Sequence, residues 1–242
     1  MKKSGAIFFL CLCLITAGCQ PNTSADDPSH STSAQEAYIE NKGSDTLVNL
    51  ALVWAEQYQK DNSHVQISVS GGGSGTGITA LVNGTIDIAN ASRSIKTEEI
   101  SEAQAQGIEP YEIVVANDAI AVIVNQQNPV SQLTLEQVSL IYQGVITNWK
   151  EVGGEDRPIV RLSRETNSGT HVYFLETVVR MGEKGNDALF SPETLLLPSS
   201  EGIIAEVRDN PNAIGYDGLG YVTDEVKMVA PVSYTHLTLP TN

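Results

Sequence analysis

The 242-residue sequence predicts an α/β fold built on open, largely parallel sheets. Three observations carry that prediction. From residue 37 onward, short apolar strand patterns alternate with helix patterns. The order strand, Gly/Ser/Thr-rich turn, helix recurs, at Gly43 to Thr46, at Gly71 to Gly77 and at Arg164 to Thr170. The run Ala119 to Asn125 is almost wholly apolar, as a strand buried on both faces should be.

The chain opens with Met1-Lys2-Lys3, a positive n-region. An apolar run from Ala6 to Ala17 follows, short for a transmembrane helix. It ends in Leu14-Ile15-Thr16-Ala17-Gly18-Cys19, which resembles a bacterial lipoprotein signal cleaved before Cys19 and lipidated there. An ordinary secretory signal with an incidental cysteine is the weaker alternative. In both cases residues 1–18 are a signal peptide and the mature protein works outside the cytoplasm. Residues 19–36 are rich in Ser, Thr, Asp, Asn and Pro, and they read as a disordered tether.

The folded part begins with a strand at Ala37 to Glu40. Asn41 to Thr46 supplies a turn with capping residues. A helix follows from about Leu47 to Asp61, its apolar stripe being Leu47, Leu50, Ala51, Trp54, Ala55 and Tyr58. A strand near Val65 leads through the glycine-rich turn into a short helix ending at Val82. Thr85 to Ala89 reads as a strand and Glu98 to Gln106 as a polar helix. Two β-rich runs come next, Glu112 to Ala116 and Ala119 to Asn125. Thr134 caps a helix over Leu135 to Tyr142, and Gly144 to Gly154 is a loop. Pro158 to Leu162 is a strand, and the turn from Ser163 to Thr170 opens a helix through Val179. Ser199-Ser200-Glu201 caps another helix to Val207, and Ala213 to Tyr216 is the last predicted strand.

Composition narrows the function classes. Lys and Arg number 14 against 29 Asp and Glu, for a net charge of -15. Such a surface repels a phosphodiester backbone, so no nucleic-acid partner is expected. An anion site would have to be local, made of helix N-termini, hydroxyls and one or two arginines. All three cysteines, Cys11, Cys13 and Cys19, lie in the first nineteen residues. The four histidines have no ligand-like spacing. Neither a disulfide framework nor a metal or other cofactor is expected.

The recurring turns offer hydroxyls and unpaired N–H groups at helix N-termini, lying at the carboxyl ends of strands where open α/β sheets bind ligands. Arg164 would add a full positive charge in a forked geometry suited to oxyanions. Ser92 and Arg93 follow the next strand and could add a further contact. Each turn taken singly is better explained by capping, and each arginine by pairing with a surface carboxylate. The recurrence favours a site. Catalytic motifs fit less well. No lysine follows Gly77, as a Walker loop requires. Around Ser74 the hydrolase elbow G-x-S-x-G fails at Thr76. Gly75 to Ala80 fits G-x-G-x-x-A, but the acidic residue expected about twenty positions on is missing.

Six stretches together resemble the substrate-binding lipoproteins of phosphate ABC transporters. They are Gly43-Ser44-Asp45-Thr46, Gly73-Ser74-Gly75-Thr76-Gly77, Asp87-Ile88-Ala89-Asn90-Ala91-Ser92-Arg93, Ile146-Thr147-Asn148-Trp149-Lys150, Ser163-Arg164 with Ser168-Gly169-Thr170, and Ile214-Gly215-Tyr216. The similarity covers roughly Ile39 to Val229. It implies a two-lobed, type II periplasmic-binding-protein-like fold, with two open sheets flanked by helices and phosphate held in the cleft. It also implies a monomeric, non-enzymatic receptor on the outer face of the cell membrane that serves the transmembrane subunits of an importer. By position, the first turn would contribute Ser44, Asp45, the Thr46 hydroxyl and the Leu47 N–H. Ser74 would donate from the second turn. Arg164, Ser168, Gly169 and Thr170 would close from the other lobe. Well-studied members of this family have an aspartate that accepts the proton of hydrogen phosphate. Ser92 stands at that position here, followed by Arg93, and Asp45 is the nearest acidic substitute.

The resemblance further implies lobe one over residues 37–117 plus 218–230, lobe two over 118–217, and hinges near Asn117-Asp118 and Asp217-Gly218. Residues 231–242 depart from the family and read as a foreign tail on a truncated chain, which would leave apolar surface exposed on lobe one. A receptor for another oxyanion such as sulfate or molybdate, a phosphate sensor, and a secreted phosphatase or hydrolase are the alternatives, in that order.

Overall fold

The computed structural model describes residues 36–232. The signal peptide, Cys19, the tether before residue 36 and the tail from residue 233 lie outside the described residues.

The first half of the fold runs β1 (Ala37–Gly43), α1 (Asp45–Asp61), β2 (Val65–Ser70), α2 (Ser74–Val82), β3 (Ile88–Asn90) and α3 (Thr97–Ala105). Its sheet has the order β2-β1-β3. All pairings are parallel, with Ala37 opposite Val65 and Asn41 opposite Ile88. Parallel neighbours need crossovers, and α1 and α2 supply them. Gly77 lets α2 lie against β1, because a Cβ there would sit 2.4 Å from the Lys42 carbonyl oxygen. Ile78 and Val82 of α2 and Ala103 of α3 form a small core with Ala89, Ala91, Ile95 and Ile108 around it. The predicted stripe of α1 is only half buried. Ala51 and Ala55 are inside, whereas Leu50, Trp54 and Tyr58 are exposed.

The second half runs β4 (Ile120–Asn125), β5 (Gln132–Thr134), α4 (Leu135–Tyr142), β6 (Val160–Arg164), α5 (Gly169–Phe174), β7 (Leu195–Leu197), α6 (Ser200–Asp209), β8 (Ala213–Gly218), β9 (Val226–Met228) and β10 (Ala230–Val232). Its sheet has the order β7-β6-β8-β4-β9. β6 is parallel to β7 and β8, and β4 is antiparallel to β8 and β9. The sheet is therefore mixed rather than largely parallel. Thr134 caps α4 as predicted, accepting from the Gln137 N–H while the Gln137 side chain accepts from the Thr134 N–H. The larger cores are here, one around Tyr142, Trp149, Phe174 and Tyr216, the other around Leu162, Ile203 and Val207. Phe174 stacks flat on Tyr216 at 3.6 Å between ring centroids.

Two expectations are corrected. The predicted strand Glu112 to Ala116 does not form: the segment has no regular structure, and Tyr111, Ile113 and Val114 are exposed. A β-rich run becomes a strand only when another strand pairs with it, and among the described residues none does. Residues 218–230 do not all return to the first lobe. β9 pairs with β4, Ile123 opposite Met228, and β10 pairs with β5, Ala230 opposite Gln132. The apolar side chains Val226 and Val229 fill the second-half cores, which draws this segment there.

Candidate functional site

The carboxyl end of β1, the start of α2, the turn after β3 and the end of β6 meet at one place. β6 delivers Arg164, which is 1% exposed. Its Nη2 donates to Asp45 Oδ2 at 2.8 Å and to the Pro198 carbonyl at 2.9 Å. Its Nη1 donates to Ser200 Oγ at 2.8 Å. The buried Nε–H has no partner. Asp45, in the first turn of α1, is held from its other side by the Gly72 N–H at 3.0 Å. The Asp45 carbonyl also accepts from the Tyr221 hydroxyl at 2.6 Å.

Next to Asp45 in the chain, Thr46 begins a set of hydroxyls on the converging segments. Thr46 and Thr170 share a hydrogen bond of 3.0 Å between α1 and α5. Ser74, wholly buried, lies 3.1 Å from the Ser92 hydroxyl and accepts the Ser92 N–H at 3.0 Å. Gly169 is the point where α5 touches this pair, since a Cβ there would fall 2.5 Å from both serine oxygens. Ser168 and Thr170 are 4% and 3% exposed. Ser44 and Ser168 occupy N-cap positions, yet neither side chain makes a cap bond. Capping therefore does not use up these hydroxyls, and the capping explanation of the two turns fails.

Two predicted contacts are not available in this form. Arg93 turns away to Glu99 in a two-pronged pair, at 2.9 Å and 2.7 Å, and its Nη1 also donates to the Ser94 carbonyl. The Arg93 guanidinium holds the Glu99 carboxyl below the usual carboxylate range, against a smaller opposing effect of burial. The Leu47 N–H donates to the Ser44 carbonyl at 3.1 Å. The remaining predicted residues, Ser44, Asp45, Thr46, Ser74, Ser92, Arg164, Ser168, Gly169 and Thr170, lie along the four converging segments.

Three residues escaped the sequence reading. Asn167 carries the second-half turn onto α2: its carbonyl accepts the Gly75 N–H at 2.8 Å and its side chain donates to the Gly72 carbonyl at 2.9 Å. Ser200 was read as a cap, but Ser199 does the capping by accepting the Gly202 N–H at 3.1 Å. The doubled serine, where one hydroxyl suffices, was the available signal. Asp217 was read only as a hinge. It is fully buried, and burial raises its carboxyl above the usual range while Arg164 pulls the other way.

A serine–histidine contact also exists, Ser163 Oγ to His171 Nδ1 at 3.0 Å, but it belongs to the core. Ser163 is wholly buried and bonds the Tyr216 hydroxyl at 2.6 Å. Among the described residues there is no group of three or more His, Cys, Asp or Glu placed to hold a metal ion. No helix among them is long and apolar enough to cross a membrane.

Chemically, hydroxyl donors and one buried guanidinium at the junction of two sheets are groups suited to a small oxyanion. Residues 28–238 match the profile of the PBP superfamily domain. The chain belongs to the PBP superfamily. Within it the chain groups with PstS-like proteins. It is 34% identical over 205 residues to the phosphate-binding protein PstS of Pseudomonas aeruginosa, covering 79% of this chain and 62% of that protein. It is 29% identical over 233 residues to the phosphate-binding protein PstS of Bacillus subtilis, covering 93% of this chain and 74% of that one. A crystal structure of a phosphate ABC transporter substrate-binding protein from Clostridium perfringens, with bound phosphate, superposes with a TM-score of 0.71 at 38% identity, covering 79% of this chain and 74% of that one. The chain thus spans less than two thirds of the P. aeruginosa relative's length.

Proposed function

We propose that this PBP-superfamily chain is an extracytoplasmic, non-enzymatic receptor for inorganic phosphate that delivers the ion to the transmembrane subunits of an ABC importer. The observation that carries the reading is Arg164: a buried guanidinium with a free Nε–H is tied through Asp45 to the turn whose Thr46 meets Thr170, beside the Ser74–Ser92 pair, and the PstS relatives are phosphate-binding proteins. Oxyanion oxygens accept from hydroxyls and N–H groups without needing a basic surface, which suits a chain of net charge -15.

The binding step follows from the same residues. The two lobes, approximately residues 37–117 and 118–217, open near Asn117-Asp118 and Asp217-Gly218 to admit the ion. They close through Asp45–Arg164, Thr46–Thr170 and Asn167–Gly72. The ion is then desolvated among fixed donors, and the closed outer face is what the permease reads. Lipid on Cys19 holds the receptor to the membrane, and it works as a monomer.

Calorimetric titration with phosphate, sulfate and molybdate tests the reading. Phosphate binding with little sulfate or molybdate binding supports it. The resemblance places Ser92 where well-studied members of the family have a proton-accepting aspartate, and this favours one alternative, a receptor of the same fold for a fully ionised oxyanion. Equal or tighter sulfate binding would decide for that alternative.

A further inference from the structure

Asp217 has no part in the binding set above, yet it is the most deeply buried carboxylate near it. It sits at the end of β8 with no exposed surface. Its Oδ1 accepts two hydrogen bonds, from the Gly218 N–H at 2.8 Å and from the Ser200 hydroxyl at 2.9 Å. Its Oδ2 makes no hydrogen bond and lies 3.8 Å from Arg164 Nη1.

The Ser200 hydroxyl has a single proton. That proton is committed to Asp217, so toward Arg164 the oxygen can only accept. The direction of the relay is therefore fixed: Arg164 Nη1 donates to Ser200, and Ser200 donates to Asp217. Nη2 has both of its N–H groups placed, on Asp45 and on Pro198. The guanidinium is held on both arms, and Nε is its buried nitrogen without a partner. Removing the Asp217 charge frees the Ser200 proton to rotate, and a hydroxyl proton facing Nη1 opposes two donors.

We propose that Asp217, acting through Ser200, is the positioning residue that fixes the Arg164 guanidinium with its Nε–H facing the oxyanion. The proposal deepens the receptor reading above and rests on it.

The test uses the mature chain carrying Asp217→Asn or Ser200→Ala, each alone and combined with Arg164→Lys, with two readouts. The first is phosphate affinity by calorimetry. Each single variant should bind about tenfold more weakly, and in the Arg164→Lys background the same changes should cost less than about twofold, because coupled residues are not additive. The second is the Arg164 side-chain Nε–H signal by nitrogen-15 NMR, which needs no ligand. It should be protected from exchange in the wild type and exchange faster in either variant. An Nε–H signal unchanged in both variants would overturn the proposal. So would an affinity loss of equal size with Arg164 and with Lys at that position. Failure of the wild type to bind phosphate would instead sink the receptor reading, and the Nε–H comparison would still judge the relay.

Discussion

Arg164 Nη2 donates to Asp45 Oδ2 at 2.8 Å, which joins the end of β6 to the first turn of α1 across 119 residues of sequence. The arginine is 1% exposed and its partner 14%. This is a shielded pair, of the kind that costs several kcal/mol to break from one side. Replacing Arg164 by Ala should lower phosphate affinity by at least about 100-fold, the loss expected when one member of a desolvated charged contact is removed. Calorimetry measures it.

The same variant should be destabilised in a pH-dependent way. Burial already raises the Asp217 carboxyl, and Arg164 is the main opposing influence. Without the arginine, the folded-state value rises further above the unfolded one. A carboxyl raised in this direction favours the fold when protonated, and that favour is lost as pH rises through the folded value. Arg164→Ala should therefore melt further below wild type at pH 8 than at pH 5. A constant gap across that range would contradict it.

Arg93 should behave oppositely. Its guanidinium is committed to Glu99, so Arg93→Ala should leave phosphate affinity within about twofold and lower the melting temperature by a few degrees, the effect of losing about 1 kcal/mol. Glu99 is held below its ordinary value. Its contribution is present above the unfolded carboxylate range and is lost as pH falls through the folded value. The melting difference between Arg93→Ala and wild type should thus shrink on acidification, as thermal melts in a pH series would show.

How much of this was legible follows from where each signal resides. The turn at residues 164–170 and the glycine-rich turn were readable because glycine, serine and threonine in that order constrain backbone and donor supply locally. The fate of Arg93 was not, because pairing with Glu99 depends on where α3 packs. Asp217 and Ser200 were readable only as residue types, since their role is a contact between β8 and α6 far apart from β6 in sequence. The strand predicted at 112–116 failed for the same reason. Its propensity is local, but a strand needs a partner. In α1 the periodicity was right, yet only its alanines are buried, because the depth to which a helix face sinks is set by what covers it.

Asn167 bridges the halves outside the ion-binding set. Asn167→Ala removes its side-chain bonds to the Gly72 carbonyl and to Thr76 Oγ1 while keeping its own carbonyl. The loss should be about 0.5–1.5 kcal/mol of closure, read as a phosphate affinity several-fold weaker with a faster dissociation rate in stopped flow.

Burial beside Phe190 and Ser163 pushes His171 below the usual histidine range, and this outweighs the Arg164 backbone hydrogen bond that favours its charged form. With the folded value depressed, stability is complete above the unfolded histidine range and declines as pH falls through it, because the unfolded chain takes up the proton first. The melting temperature should drop between pH 7.5 and pH 5.5, and His171→Gln should flatten that slope.

The central claim is that the ion is held between the Asp45 turn and Arg164. A crystal structure of the mature chain grown with phosphate tests it most directly. The expected result is one ion within hydrogen-bonding distance of the Arg164 guanidinium and of the Thr46, Ser74 and Thr170 hydroxyls. Phosphate bound elsewhere, for example in the groove lined by Thr76, Thr79 and Asn83, with the Arg164 cluster free of it, would contradict the claim.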